Sequence, residues 1–267
     1  MAHQRPTRYK IVLSLIFLLV MPALAMEKGP TPNPLPLSSA LPFAPGEKLT
    51  YDVQYLGVSS GVAVLAVLEA ITQNGQEVYP LLSTVQSSDF SSIFYRVNDR
   101  IESFLNPKAL YSHAIFVKQH EGKRKREKQI TFDQVTHKAT LIENGQQTVF
   151  DIPPKVNDSL SSLYVFRTFH PLTVGQSMFI DLHEGKKNGK LEIAVLGKER
   201  VKTPIGDFNA IKLQTTPRYE GTSSTKGRLL IWVTDDDRKI PVLIKSKAKF
   251  GSIVMTLIAR RDGEGHL

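Results

Sequence analysis

An alternation of apolar and polar residues recurs along the chain between short turns, and it constrains the fold more than any other feature. Leu49, Tyr51 and Val53 alternate with polar residues, and residues 240–250 do so near the other end. Successive strand residues point to opposite faces of a sheet, so this period predicts strands with one buried and one solvated face. Such runs recur over 46–260, which predicts a single β-rich domain there.

Turn-forming residues separate the predicted strands. Asn144-Gly145 lies between two alternating runs and is the dipeptide most typical of a tight hairpin. Asp235 to Asp237 predicts another turn, although a cluster of carboxylates is also a possible Ca²⁺ site. We expect Trp232, just before this turn, to belong to the buried wall of the core.

One segment has helical spacing instead. Leu160, Leu163, Tyr164 and Arg167 fall on one face, which predicts a helix over about 159–169, with Asp158 as its cap. Residues 87–95 fit either a short helix or a loop. About ten to twelve strands with short turns and one helix predict a mainly β fold. Its antiparallel, twisted sheet is expected to close into a barrel, a half-open barrel or a sandwich.

The first 25 residues have the features of a secretory signal peptide. Three cations precede the apolar run 11–20, and an A-x-A site at 23–25 predicts cleavage after Ala25. A membrane anchor is the alternative, but Pro22 breaks the run, which is shorter than the roughly 20 residues of a spanning helix. We therefore expect no transmembrane helix in the mature chain. The Pro-rich stretch 26–45 is expected to be a disordered lead-in.

Charge and composition limit the function classes. The chain has no cysteine, which excludes disulfides, thiol catalysis and a lipid-bearing cysteine. Its net charge is +9, and three of the cations lie in the predicted signal, so the mature chain carries +6. That balance favours anionic lipid or glycan partners and is too weak to indicate nucleic acid.

No catalytic or metal-binding motif is present. The histidines lack the spacings of local metal sites, no G-x-S-x-G elbow occurs, and no phosphate-binding loop is found. We therefore expect no enzyme activity, no cofactor and no metal. Paired carboxylates contributed by separate strands would escape this search.

The segment 118–128 is the unusual charge feature. Alternation places Lys123 and Lys125 on one face of a strand and Arg124, Arg126 and Lys128 on the other. A strand charged on both faces is expected at a sheet edge or in a projecting hairpin, where cations discourage aggregation. The alternative is an anion-contacting surface, since Arg binds phosphate and carboxylate in bidentate fashion. Its candidate binding residues are Lys118, Lys123, Arg124, Lys125, Arg126 and Lys128.

Several ordered stretches resemble an exported bacterial family catalogued as domain of unknown function 3108. They are 46–51 (GEKLTY), 57–61 (GVSSG), 158–164 (DSLSSLY) followed by Arg167, 197–208 (GKERVKTPIGDF), 231–236 (IWVTDD), 240–242 (IPV) and 251–253 (GSI). The resemblance covers about 43–257. It implies a location in the periplasm of a Gram-negative bacterium and a β-rich fold, and it implies no catalytic residues.

We expect a non-catalytic periplasmic or cell-envelope protein that binds or carries an amphiphile or an anionic envelope glycan. Two alternatives remain open. One is a hydrolase acting on envelope polysaccharide, and the other is an assembly factor that binds another envelope protein through an edge strand.

Overall fold

The structure is a computed structural model that describes residues 41–73, 75–219, 227–248 and 251–263. The predicted signal peptide, its cleavage site and residues 26–40 lie outside this range, as do residues 249 and 250. The strands are Lys48–Tyr55 (β1), Val58–Val67 (β2), Ile71–Gln73 (β3), Gln76–Ser87 (β4), Asn98–Asn106 (β5), Tyr111–Glu121 (β6), Arg124–Asp133 (β7), Lys138–Glu143 (β8), Gln146–Asp151 (β9), Ser177–Glu184 (β10), Lys187–Thr203 (β11), Gly206–Tyr219 (β12), Leu229–Thr234 (β13), Pro241–Lys247 (β14) and Ser252–Arg261 (β15).

The strands form one antiparallel sheet that curls without closing. Its order is β10-β11-β12-β13-β14-β15-β1-β2-β4-β5-β6-β7-β8-β9, with β3 paired to β4 beside this path. Strands β9 and β10 end the path, and the segment after β9 bridges to β10 through Asn157, whose amide nitrogen donates to the carbonyl of Asp181 at 2.9 Å. The predicted fold class, a mainly β antiparallel sheet that forms a barrel, a half-open barrel or a sandwich, is confirmed, and the sheet is open.

The turns between strands lie at two opposite ends of the sheet. We call the end that carries the β1–β2, β6–β7 and β8–β9 turns the upper end, and the opposite end the lower end. Asn144 and Gly145 form the β8–β9 turn with φ values of 53° and 73°, as the Asn-Gly prediction requires. Asp235 to Asp237 form an exposed turn at the lower end, as predicted.

Helices occupy two connections. The helix Ser159–Val165 (α2) lies between β9 and β10, and a short 3₁₀ helix, Phe166–Thr168, continues it. This fits the helix predicted over 159–169. The segment 87–95, which fitted either a helix or a loop, contains the helix Asp89–Phe94 (α1), so the structure has one more short helix than predicted.

The core lies on the inner face of the curled sheet. Alternate residues of β1, β5, β6, β12 and β15 are buried there, and α2 adds Leu160, Tyr164 and Val165. Packed structure begins before residue 46: Phe43 is 1% exposed and its ring lies edge-on to Tyr164 at 5.2 Å. This part of the predicted lead-in is ordered because burying an aromatic ring stabilises it.

The structure refines two predictions about placement. Strand β7 pairs with β8 only from Lys128 onward, so its basic residues 124–127 pair with β6 alone among the described strands and form the tip of a hairpin, which is one of the two predicted placements. Trp232 is buried in the core cluster, as predicted, but its ring points to the outer face, towards Lys212 and Lys245, whereas Ile231 and Val233 point to the interior. The alternation of apolar and polar residues predicts which residues of a strand share a face, but it does not predict which strands lie beside that strand.

Within the described ranges, we find no helix with the length and hydrophobicity that a membrane crossing requires.

Candidate ligand-binding site

Strand β7 presents a row of three cations on the inner face of the sheet. Arg124, Arg126 and Lys128 alternate with outward residues and share their face with the buried Ile130. We call these three the inner cation row. Arg124 is exposed at the upper end, Arg126 keeps 26% of its side chain accessible, and Lys128 is 5% exposed. The row therefore runs from solvent into the core.

The other predicted binding residues point outward. Lys123 and Lys125 are exposed on the outer side of the same hairpin, and Lys118 forms an ion pair with Glu127 at 3.0 Å. The structure thus brings together three of the six predicted residues and separates the other three from them.

Acidic and amide side chains of neighbouring strands accompany the inner cation row. Arg126 donates from Nε to Glu143 Oε1 at 2.8 Å, while the register pairs Arg124 with Glu121 and Arg126 with Gln119. Such partners offset the cost of taking charges out of water. Lys128 lies between β6 and β8, whereas Arg124 and Arg126 lie in the part of β7 that pairs with β6 alone among the described strands.

Buried acids border the row near the upper end. Asp99 is 8% exposed and accepts a hydrogen bond from the amide of His120 at 2.9 Å. Burial raises the pKa of Asp99, and the His120 amide acts in the opposite direction. Glu121 is buried beside it at 5% exposure. These acids lie deeper than Arg124, so the charge nearest to solvent is cationic.

Across the interior, three strands form a second polar group. Tyr219 of β12 donates a short hydrogen bond from its hydroxyl to Glu184 Oε2 of β10. The ring reaches across β11 at Gly189, where a Cβ would lie 2.8 Å from Tyr219 Cδ1 and 2.5 Å from the carbonyl of Arg218. Gly189 is therefore required for the close approach of the tyrosine.

Glu184 and Lys128 influence each other electrostatically. Burial raises the pKa of Glu184 to about 7, against the lowering effects of Lys128 and of the Tyr219 hydroxyl. Burial lowers the pKa of Lys128, and Glu184 opposes that shift. The second carboxylate oxygen of Glu184 is buried without a hydrogen-bond partner. The inner cation row thus ends at an acid that takes up a proton near neutral pH.

Below this group, Asp158 caps α2 and accepts hydrogen bonds from serines of β5 and β6. It accepts hydrogen bonds from the hydroxyls of Ser103 and Ser112, both at 2.5 Å, and from the amides of Leu160 and Ser161. Burial raises the pKa of Asp158, whereas the two serine hydroxyls lower it. The predicted cap is confirmed, and its wider role is to hold the helix against the inner face.

A buried ion pair closes the lower end. Arg167 donates to both carboxylate oxygens of Glu47 at 2.7 and 2.9 Å, and to the carbonyls of Pro42 and Arg238 at 3.0 and 3.1 Å. Arg238 also contacts Glu47 at 3.3 Å. Arg167 and Glu47 are 1% and 0% exposed, so no solvent or ligand reaches them.

The stretches that carried the resemblance therefore meet in space. Glu47 and Tyr51 come from the first stretch, Asp158 and Arg167 from the middle one, and the Tyr51 hydroxyl donates to the carbonyl of Pro241 at 2.9 Å. This junction is structural. It holds the strands together at the lower end. The inner cation row, in contrast, reaches solvent at Arg124.

The ring of Trp232 points to the outer face of the sheet, where charged side chains surround it. The ammonium groups of Lys212 and Lys245 lie 4.9 and 5.2 Å from the centroid of its ring, and its Nε1 donates to Glu199. The Trp232 hydrogen bond lowers the pKa of Glu199. The lysine stems cover the ring, which explains how an outer-face Trp is buried.

Sequence reasoning missed the acids and the tyrosine of the interior. Asp99, Glu121, Glu143, Glu184 and Tyr219 come from five strands, so no local spacing connects them. Among the described residues, no three or more histidine, aspartate or glutamate side chains form a group that could hold a metal ion.

Comparison with solved structures gives the fold relationship. A β-barrel-like protein of the domain of unknown function DUF1849 from Brucella abortus superposes with a TM-score of 0.53 at 8% identity, over 84% of this chain and 100% of that chain. At this identity the likeness concerns the fold alone.

Two further structures match more weakly. One is a Bacteroides fragilis protein with a YmcC-like fold, described provisionally as exported (TM-score 0.35, 13% identity, 83% of this chain and 98% of that chain). The other is a Parabacteroides distasonis protein described provisionally as a lipoprotein (TM-score 0.33, 10% identity, 83% and 98%). Scores this low support no argument.

Comparison with protein families and curated proteins completes the assignment. No curated protein matches the chain significantly. The model of the protein family of unknown function DUF3108 matches residues 50–258, which include every strand from β2 to β14. The predicted family is confirmed: this chain belongs to DUF3108.

Proposed function

We propose that this protein is an exported, non-catalytic protein of the Gram-negative envelope that binds an anionic amphiphile, with the head group on the inner cation row. The observation that carries the proposal is the orientation of Arg124, Arg126 and Lys128 into the half-open sheet. The basic N-terminal run and the A-x-A site at 23–25 support export.

The gradient of exposure supports a ligand that enters from the upper end. Arg124 is exposed, Arg126 is one-quarter accessible and Lys128 is buried, so a head group meets the two arginines first. Guanidinium groups bind phosphate and carboxylate through two parallel hydrogen bonds, which are stronger than neutral ones. The row therefore favours an anionic head group.

A non-catalytic role is part of the proposal. Two acids that flank the row are hydrogen-bonded: Glu143 accepts from Arg126, and Asp99 accepts from the amide of His120. Glu184 is bound by Tyr219 on the far side. Glu143 positions Arg126, and Tyr219 positions Glu184, so we assign no proton transfer to these acids.

The test uses dodecyl phosphate below its critical micelle concentration, titrated calorimetrically into the purified mature protein at low salt. Arg124→Ser with Arg126→Ser removes the accessible part of the row. Lys123→Ser with Lys125→Ser is the matched control, because it removes the same charge from the other face of the same hairpin. We expect the first variant to bind at least tenfold more weakly and the control to bind like wild type.

Two results would contradict the proposal. Equal weakening in both variants would mean that net charge alone attracts the probe, and unchanged binding in the arginine variant would remove the row from the site. Circular dichroism and thermal melting of each variant separate a lost contact from a lost fold. Dodecanol as an uncharged probe checks that the head group is recognised.

A further inference from the structure

The upper end carries large apolar side chains that are mostly exposed to solvent. The β1–β2 hairpin exposes Leu56 and Val58, and α1 exposes Phe90 and Ile93. Their exposed fractions are 62%, 58%, 66% and 77% in that order. Single exposed apolar residues are common, but several at one end of a fold are typical of an interaction surface.

Hydrogen bonds hold these two segments together. The amide of Ser88, the cap of α1, donates to the carbonyl of Ser60 on β2 at 2.9 Å. Gly61 lies so close to β4 that a Cβ would approach the carbonyl oxygen of Gln86 to 2.3 Å. The helix and the β1–β2 hairpin are thus parts of one surface, and α1 faces outward from it.

Cations lie directly beside the apolar residues. The amide of Gly122, in the β6–β7 turn, donates to the carbonyl of Arg96 at 2.7 Å, and the Tyr95 ring packs where a Gly122 Cβ would be. This contact places Lys123 and Arg124 next to the end of α1. Both are exposed, as is Arg96, whereas Asp89 is the single acid of α1.

We propose that this upper end docks on an anionic membrane surface. Phe90 and Ile93 of α1 and Leu56 and Val58 of the hairpin enter the interface, and the cations beside them contact acidic head groups. Apolar area together with positive charge is the combination that holds proteins at anionic lipid interfaces. Charge complementarity favours a lipid surface over a second copy of this basic chain, which would repel it.

The proposal goes beyond ligand binding and does not depend on it. Arg124 stands at the junction of the two surfaces, since it is both the outer end of the inner cation row and a neighbour of α1. A docked upper end would set the mouth of the sheet against the lipid layer, which is where an amphiphile enters or leaves.

The experiment is co-sedimentation of the purified mature protein with large unilamellar vesicles. One set contains phosphatidylcholine alone and the other adds phosphatidylglycerol, each at low and at physiological salt. Phe90→Ser with Ile93→Ser is the test variant. Val135→Ser with Val149→Ser is the matched control, because these side chains are also exposed (88% and 53%) but lie on the β7–β8 turn and on β9.

We expect wild type and the Val135/Val149 control to bind phosphatidylglycerol vesicles equally, and the Phe90/Ile93 variant to bind at least tenfold more weakly. Binding should fall with salt and be weak on phosphatidylcholine alone. Absence of wild-type binding, or equal binding by the Phe90/Ile93 variant, would overturn the proposal. A dimer in sedimentation velocity that this variant abolishes would assign the surface to self-association instead.

The two proposals can fail separately. The Phe90/Ile93 variant should keep its affinity for soluble dodecyl phosphate, because the inner cation row is untouched. Arg126→Ser, which changes only the inner face, should bind vesicles like wild type while losing affinity for the soluble probe. A variant that loses both activities and also melts early reports a damaged fold. Ile93→Ser alone then repeats the vesicle test at the most exposed of the four apolar positions.

Discussion

The buried pair of Glu47 and Arg167 gives the most demanding test of the fold. Both side chains are inaccessible to solvent, and the guanidinium binds both carboxylate oxygens within 2.9 Å. Replacing Glu47 by Gln keeps the shape but leaves the guanidinium without its counter-charge. Breaking one side of a buried pair costs about 3–5 kcal/mol of unfolding free energy, since the remaining charge stays desolvated.

The measurement is urea unfolding, followed by circular dichroism, with thermal melting as a second assay. For a domain of this size each kcal/mol corresponds to about 2–4 °C, so Glu47→Gln should lower the melting temperature by roughly 6–20 °C. Glu102→Gln is the control. It breaks the Arg100–Glu102 pair, whose side chains are 49% and 30% exposed, and such pairs contribute about 0–1 kcal/mol.

A double replacement separates charge from packing. Glu47→Leu with Arg167→Met removes both charges, and apolar substitutes of a buried pair are often neutral or stabilising. We expect this variant to regain most of the stability that Glu47→Gln loses. If Glu47→Gln unfolds within about 1 kcal/mol of wild type, the reasoning that this pair fixes the lower end is refuted.

Three further predictions concern the inner face. Gly189→Ala should destabilise the protein by about 1–3 kcal/mol because its Cβ would meet the Arg218 carbonyl and the Tyr219 ring, whereas Gly197→Ala on the same strand has open space and should be nearly neutral; chemical unfolding compares the two. Asp158→Asn should cost about 1–3 kcal/mol in the same assay, since an amide cannot accept all four hydrogen bonds. The pKa of Glu184 is about 7 in the folded protein and about 4.3 in an unfolded chain. Between these pH values the folded protein binds one more proton than the unfolded chain, so the free energy of unfolding of wild type should fall as pH rises. Glu184→Gln should flatten that dependence in melts at pH 5 and 8, and an identical slope in both proteins would contradict the assignment.

The location of the polar groups shows where sequence reasoning reaches its limit. Arg167 falls on the apolar face of the predicted helix, and a cation there requires a buried acid. That signal was available, but the partner, Glu47, is 120 positions away. The same applies to Glu184 and Tyr219, which approach each other only because Gly189 lets the ring cross β11.

Local pattern by itself determined the β class, the strand faces, the Asn144-Gly145 turn, the cap at Asp158 and the family. These depend on the alternation period, on turn chemistry and on residues adjacent in sequence. Only the tertiary structure decided that β7 pairs with β8 from Lys128 onward, that three of its cations point inward and that the Trp232 ring points to the outer face. Strand order is set by long-range pairing, and a periodic pattern specifies two faces without stating which strands stand beside them or which face is concave.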